Sequence, residues 1–149
     1  MLRPKLVLVF AFVFLIFGAN AVFACKCAGP RSGQNFQPCG LYWTSEAVFI
    51  GTAARVSVEE FELADGRKYQ RLVARFAVEK AVRGVAGETV EIETNPDTGS
   101  CGYPFKEGEK YFVYTSRNKE GKFTAMLCSP IVPLKDATVD LEYAKAIES

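Results

Sequence analysis

Five cysteines carry the most distinctive chemistry of this sequence. Cys25 and Cys27 are separated by a single residue near the start of the chain, and Cys39, Cys101 and Cys128 follow at longer intervals. In an oxidising compartment paired cysteines are the default, so four of the five can form two disulfides. One thiol is then left over, and it is available for an intermolecular disulfide or as a reactive group.

Histidine is absent from the 149 residues. Without it the chain cannot build a Ser–His or Cys–His nucleophile, or a zinc site with a histidine ligand. The aspartates and glutamates are scattered and show no motif spacing. We therefore expect a protein that is not an enzyme, has no catalytic residues and carries no cofactor of its own.

The first 24 residues have the pattern of a secretory signal peptide. Arg3 and Lys5 form a basic start, residues 6–17 are apolar, and small residues follow. Because a bilayer span takes about 20 residues, this apolar run is too short to cross comfortably. We assign residues 1–24 to the leader and 25–149 to one exported domain, with a retained membrane anchor as the alternative.

Two cleavage sites are compatible with this leader. Val22 and Ala24 suit a cut that leaves Cys25 first, whereas Ala19-Asn20-Ala21 suits a cut that leaves Val22 first. Residues 22–25 also approximate a lipobox, and lipidation of Cys25 would attach the protein to a membrane. We expect a secreted or extracellular protein, located in the periplasm or cell envelope if it is bacterial.

The exported domain is nearly neutral. The whole chain has 18 Lys and Arg against 17 Asp and Glu, and removal of the leader leaves 16 against 17, a net charge of −1. Because phosphate binding needs a basic surface, we expect no nucleic-acid partner. A remainder of about 125 residues is the length of one ordinary domain.

Strand patterns dominate the exported domain. Residues 47–62 and 68–81 are rich in β-branched and aromatic side chains, and Gly51 indicates a bulge within the first run. Three shorter strands are predicted at residues 90–94, 110–117 and 122–128. Five uneven strands favour a small Greek-key barrel over a sandwich, which has more and shorter strands.

Two helices are predicted beside these strands. Residues 38–46 form a short helix or turn. After Pro133, apolar residues recur at helical spacing, and Asp136 is a plausible N-cap for this C-terminal helix. The recurring residues are Ala137, Leu141, Ala144 and Ile147.

Four short motifs follow one another through the exported domain. They are Cys25-Lys26-Cys27, Ala47-Val48-Phe49-Ile50-Gly51, Cys101-Gly102-Tyr103 and Cys128-Ser129. Their order and spacing resemble the inhibitory domain of tissue inhibitors of metalloproteinases and, more broadly, netrin-like domains. The resemblance implies a mainly β, five-stranded OB-type barrel with a flanking helix. It also implies the disulfides Cys25–Cys101 and Cys27–Cys128, which would pin the N-terminus and leave Cys39 unpaired.

The resemblance implies a function for the N-terminus. In the family, the free α-amino group and carbonyl oxygen of the first cysteine chelate the catalytic zinc of a protease. Carried over, Cys25 binds the zinc of a partner metalloprotease, Lys26 enters the specificity pocket, and Cys27 and Ser100 belong to the binding surface. An α-amino group has a pKa of about 7.7–8.0, so losing its proton at neutral pH costs little.

Lys26 departs from the family, which has a small Thr or Ser at this position. An ammonium group in a mainly apolar pocket must be desolvated, at a cost of several kcal/mol unless an acidic group meets it. We therefore do not expect strong inhibition of matrix-type metalloproteinases.

The sequence is also compatible with two other functions. The N-terminal cysteines could be purely structural in a non-inhibitory protein-interaction module. Alternatively, the C-x-C pair could be redox-active, which would require accessible, reducible sulfurs.

For the unpaired Cys39 we favour a buried, inert thiol packed near Phe36 or Trp43.

Overall fold

Six strands form one sheet, and five of them close it into a ring. The computed structural model describes Cys25, Cys27, residues 37–63 and residues 65–148. The strands are β1 Ala47–Glu62, β2 Lys68–Arg83, β3 Thr89–Thr94, β4 Lys110–Arg117, β5 Phe123–Thr124 and β6 Ile131–Pro133. Hydrogen-bonded neighbours run in the order β1-β2-β3-β5-β4, β4 pairs back to β1, and β6 lies on the other side of β4. The predicted leader lies outside the described residues.

Four of the predicted strands are confirmed nearly to the residue. β1 and β4 have the predicted bounds, β2 runs two residues further than predicted, and β3 begins one residue earlier. The predicted bulge is also confirmed, because the pairing of β1 with β2 shifts register between Ile50 and Gly51. A Cβ atom at Gly51 would lie 2.7 Å from the carbonyl oxygen of Ala77, so the close approach of the two strands there requires glycine.

The prediction of one long strand at residues 122–128 is wrong. β5 contains only Phe123 and Thr124, and the chain then turns, with the Ser129 N–H donating to the Met126 carbonyl oxygen at 2.9 Å. The separate strand β6 was not predicted, because three residues are too few for an alternating pattern. Its Pro133 is tolerated because β6 is an edge strand in the described sheet.

The ring encloses the larger of two apolar clusters. Every strand contributes to it, for example Phe49 from β1, Phe76 from β2 and Ile92 from β3. Three aromatic residues complete this cluster, Tyr103 and Phe105 from the loop before β4 and Tyr111 from β4. Their rings pack against one another in edge-to-face or tilted arrangements. Burial of this set is the main source of the ring's stability.

Helices cover the outer face of β1 and β4. They are α1 Pro38–Thr44, a 3-10 helix Leu134–Asp136 and α2 Thr138–Glu148. The second apolar cluster lies beneath them and includes Val48, Phe112, Val132 and Ala144. Both predicted helices are therefore confirmed in place. No helix among the described residues is long and apolar enough to cross a membrane.

The predicted N-cap of the C-terminal helix is wrong. Asp136 ends the 3-10 helix, two positions before α2 begins at Thr138. The first turn of α2 contains a different acidic residue, Asp140. Asp140 is only 3% exposed, and it accepts a hydrogen bond of 2.8 Å from the Tyr114 hydroxyl. Burial raises the pKa of Asp140 above its ordinary value.

Candidate functional site

Two disulfides tie the N-terminal tripeptide (residues 25–27) to the body of the domain. Cys25 pairs with Cys101 across a Cα–Cα distance of 5.3 Å, and Cys27 pairs with Cys128 across 5.5 Å. These are the two pairs that the resemblance implies. They indicate an oxidising environment for the folded protein. A closed loop of this length stabilises a fold by about 4 kcal/mol in the chain-entropy model.

The two anchor cysteines of the body are held side by side. The N–H of Leu127, the residue before Cys128, donates to the carbonyl oxygen of Cys101 at 2.8 Å. This arrangement suits the spacing of the tripeptide, because two residues of extended chain span at most about 7 Å. Cys25 and Cys27 are therefore both partly buried against one small region of the surface.

A hydrogen-bonded loop surrounds the first anchor. We call residues 95–102 the Ser100 loop. The Asp97 carboxylate accepts from the Ser100 N–H at 2.9 Å, and the Ser100 hydroxyl donates to the Asp97 carbonyl oxygen at 2.9 Å. The Asp97 carbonyl oxygen also accepts from the Gly102 N–H at 2.8 Å. Although Ser100 is exposed, its backbone is therefore fixed.

A second set of hydrogen bonds reaches the Ser100 loop from strand β2. Arg71 donates from Nη1 to the Asn95 Oδ1 at 2.6 Å, and the Asn95 Nδ2 donates to the carbonyl oxygen of Ser100. The sequence pattern Asn-Pro-Asp-Thr-Gly is typical of a loop but does not identify these contacts. The contact with Arg71 joins residues 24 apart in sequence, and only the fold brings them together.

Cys101 adopts a backbone conformation that only the surrounding loop can maintain. Its φ is +68°, and it is the one described residue other than glycine with a positive φ. A non-glycine residue in this region costs about 1–3 kcal/mol and persists only where the surroundings impose it. The hydrogen bonds of the Ser100 loop on one side and the Leu127 bond on the other impose it here.

Tyr103 fixes the far end of the loop in the core. Its N–H donates to the buried Thr94 Oγ1 at 2.8 Å, and its hydroxyl donates to the Ile131 carbonyl oxygen at 2.8 Å. Burial raises the pKa of Tyr103 well above its ordinary value, so it stays a neutral donor. The Cys-Gly-Tyr motif thus links the surface disulfide to the interior of the ring.

The prediction of a buried Cys39 is wrong. Cys39 is unpaired and exposed, and none of the residues of α1 is buried, because this short helix lies on the outside of the sheet. Interaction with the Cys39 thiol raises the pKa of Tyr143 in α2 above its ordinary value. Phe36, one of the two neighbours expected for the thiol, lies outside the described residues.

The site therefore brings together three of the residues singled out from the sequence: Cys25, Cys27 and Ser100. Lys26 lies outside the described residues, so its role stays a prediction. Arg71, Asn95 and Asp97, which the sequence did not identify, hold the loop. No group of cysteines and carboxylates within the described ranges is arranged to hold a metal ion.

Comparisons with known proteins give no family assignment. A scan of the sequence against protein-family models finds no match. A search of the curated proteins finds no match either.

Proposed function

We propose that the chain is an exported netrin-like inhibitor in which Cys25 chelates the catalytic zinc of a metalloprotease. The observation that carries the proposal is the pair of disulfides that hold both ends of the N-terminal tripeptide beside the fixed Ser100 loop. A purely structural role needs the disulfides but gives no reason for an exposed, rigid loop next to them.

The scaffold in this proposal is an OB-type Greek-key barrel. A ring of five strands supports it, because β1 pairs with both β2 and β4 and so closes the sheet. The helix α2 on the outer face is also compatible with that type of barrel. Secretion and removal of residues 1–24 belong to the proposal as well. The two disulfides support export to an oxidising compartment.

The chemistry of the proposed contact is simple. A catalytic zinc has three protein ligands and an open position that water occupies, and a neutral amine with an adjacent carbonyl oxygen can displace that water. Cleavage before Cys25 would create this amine. Because the disulfides already fix Cys25 and Cys27, less conformational entropy remains to be lost on binding than for a free peptide.

Lys26 defines the class of protease in this proposal. If Cys25 lies on the zinc, the next side chain faces the pocket that selects substrates. A lysine there fits a pocket that contains a carboxylate, since an unpaired ammonium group would be desolvated at a large cost. The proposed target is therefore a zinc peptidase that prefers basic side chains immediately after the cleaved bond.

The test compares two chains that differ by one residue. A chain that begins at Cys25 and a chain that begins at Ala24, both with the two disulfides formed, are assayed against zinc peptidases with acidic and with apolar specificity pockets. We expect the first chain to inhibit peptidases with acidic pockets. The extra alanine turns the amine into an amide, so inhibition should fall at least about 30-fold, the effect of losing a hot-spot contact.

A Lys26→Thr variant serves as the control for specificity. It keeps the amine and both disulfides, so it should still inhibit but should prefer peptidases with apolar pockets. Equal inhibition by the Cys25 and Ala24 chains would contradict chelation by the amine. Absence of inhibition by every chain would leave the alternative, a non-inhibitory interaction module with structural disulfides.

A further inference from the structure

A relay of hydrogen-bonded side chains connects the β1–β2 hairpin with the peptide that precedes Cys101. It begins at Arg71, whose guanidinium lies 5.6 Å from the centre of the Tyr69 ring. Arg71 donates to Asn95, and Asn95 donates to the Ser100 carbonyl oxygen. The relay thus starts on β2, which pairs with β1 along nearly its whole length, and ends at the Ser100 loop.

Arg71 determines which way the amide of Asn95 is oriented. A guanidinium group can only donate hydrogen bonds, so the oxygen of the Asn95 amide must face it. The NH₂ group of Asn95 is then directed towards Ser100. Without Arg71 the amide would be free to turn its oxygen towards the Ser100 carbonyl group, where two acceptors would meet and no hydrogen bond could form.

The peptide between Ser100 and Cys101 is consequently held at both ends. Asn95 binds its carbonyl oxygen, and the Cys101 N–H donates to the Thr98 carbonyl oxygen at 3.2 Å. Because Cys101 has a φ of +68°, rotation of this peptide plane is the simplest way to relieve its backbone strain. The relay opposes that rotation.

We propose that Arg71 and Asn95 are positioning residues for the target-binding surface. By fixing the Ser100–Cys101 peptide they set the direction of the Ser100 side chain and, through the disulfide, the position of Cys25. The inference rests on the proposed function for its consequence in binding, but the control of the loop by the relay is measurable without any protease. A surface that is fixed before binding loses less entropy when it binds.

The main test is the Asn95→Asp variant. It preserves shape and strengthens the pairing with Arg71, but it replaces the NH₂ donor facing Ser100 with a carboxylate oxygen. We expect hydrogen exchange of the Cys101 amide to accelerate and the carbonyl ¹³C resonance of Ser100 to shift. In an inhibition assay the same variant should bind about 3- to 10-fold more weakly, the equivalent of one hydrogen bond.

Two further arginine variants distinguish positioning from a general loss of charge. Arg71→Leu breaks the relay at its other end and should reproduce the effects of Asn95→Asp. Arg67→Leu removes the same charge from an exposed position at the hairpin tip, where the Arg67 guanidinium pairs with Asp65. It should change neither the loop nor inhibition.

The two proposals fail in different ways. Unchanged exchange and chemical shifts in Asn95→Asp would overturn the relay whatever the inhibition data give. An equal loss of inhibition in Arg67→Leu would also overturn it. A wild-type chain that inhibits no protease, combined with altered exchange at Cys101, would overturn the proposed function and retain control of the loop by the relay.

Discussion

Gly102 has no room for a side chain. A Cβ atom at this buried position would overlap the carbonyl oxygen of Asn95 and would lie 2.8 Å from that of Asp97. Both oxygens belong to the Ser100 loop, and both are backbone atoms that cannot simply rotate away. The glycine of the Cys-Gly-Tyr motif is therefore needed for the loop to fold back on itself beside the Cys25–Cys101 disulfide.

Replacement of Gly102 by alanine should destabilise the protein. We expect the Gly102→Ala variant to lose about 1–3 kcal/mol, the usual cost of overpacking a close contact. Gly40→Ala is the matched control, because Gly40 lies in α1 with open space around it and should gain about 0.5–1 kcal/mol. Urea unfolding with the disulfides intact measures both, and equal effects would contradict the steric argument.

At the scale of elements, a buried hydrogen bond joins α2 to the sheet. Tyr114 of β4 donates to Asp140 within the outer apolar cluster, and burial raises the pKa values of both groups. The folded-state pKa of Asp140 lies above its unfolded value. The neutral carboxyl group therefore makes its full contribution to the free energy of unfolding at pH values below the unfolded pKa. This contribution is lost as the pH rises through the folded pKa. The hydrogen bond from Tyr114 reduces that loss.

The Tyr114→Phe variant should therefore show a pH-dependent loss of stability. At neutral pH it leaves a buried carboxylate without its phenol donor and should cost about 1–3 kcal/mol. At about pH 3, below the ordinary pKa of aspartate, the carboxyl is neutral and the deficit should be smaller. Tyr143→Phe removes the same atom from a half-buried tyrosine of α2 that packs against Tyr42, and should cost about 1 kcal/mol or less, equally at both pH values. Equal deficits of Tyr114→Phe at both pH values would contradict this mechanism.

The sequence predicted elements of six or more residues well and shorter ones poorly. β1 and β2 each contain 16 residues rich in β-branched and aromatic side chains, so their pattern is strong. β6 contains three residues, and its pairing with β4 depends on contacts that no local pattern contains. The N-cap error at Asp136 has the same origin, because an unforeseen 3-10 turn places α2 further along the chain.

At the scale of the whole molecule, the disulfides connect Cys25 and Cys27, early in the sequence, to Cys101 and Cys128, late in the sequence. They span 76 and 101 residues, so they tie the tripeptide to loops that are distant in sequence. Spacing alone does not determine which cysteines pair, and the pairing was inferred from the family resemblance. Neither the spacing nor the resemblance predicts the hydrogen bond between Arg71 and Asn95. These residues are 24 apart in sequence and come together only when β2 and β3 pair in the folded sheet.

In the proposed function, export turns Cys25 into the first residue and thereby creates a free amine at the binding site. The most direct test is intact mass and N-terminal sequencing of the chain expressed with residues 1–24 in an exporting host. We predict a chain that starts at Cys25, with an unmodified amine and both disulfides formed. A start at Val22, or a lipid on Cys25, would contradict the proposal, because neither product has a free α-amine on Cys25.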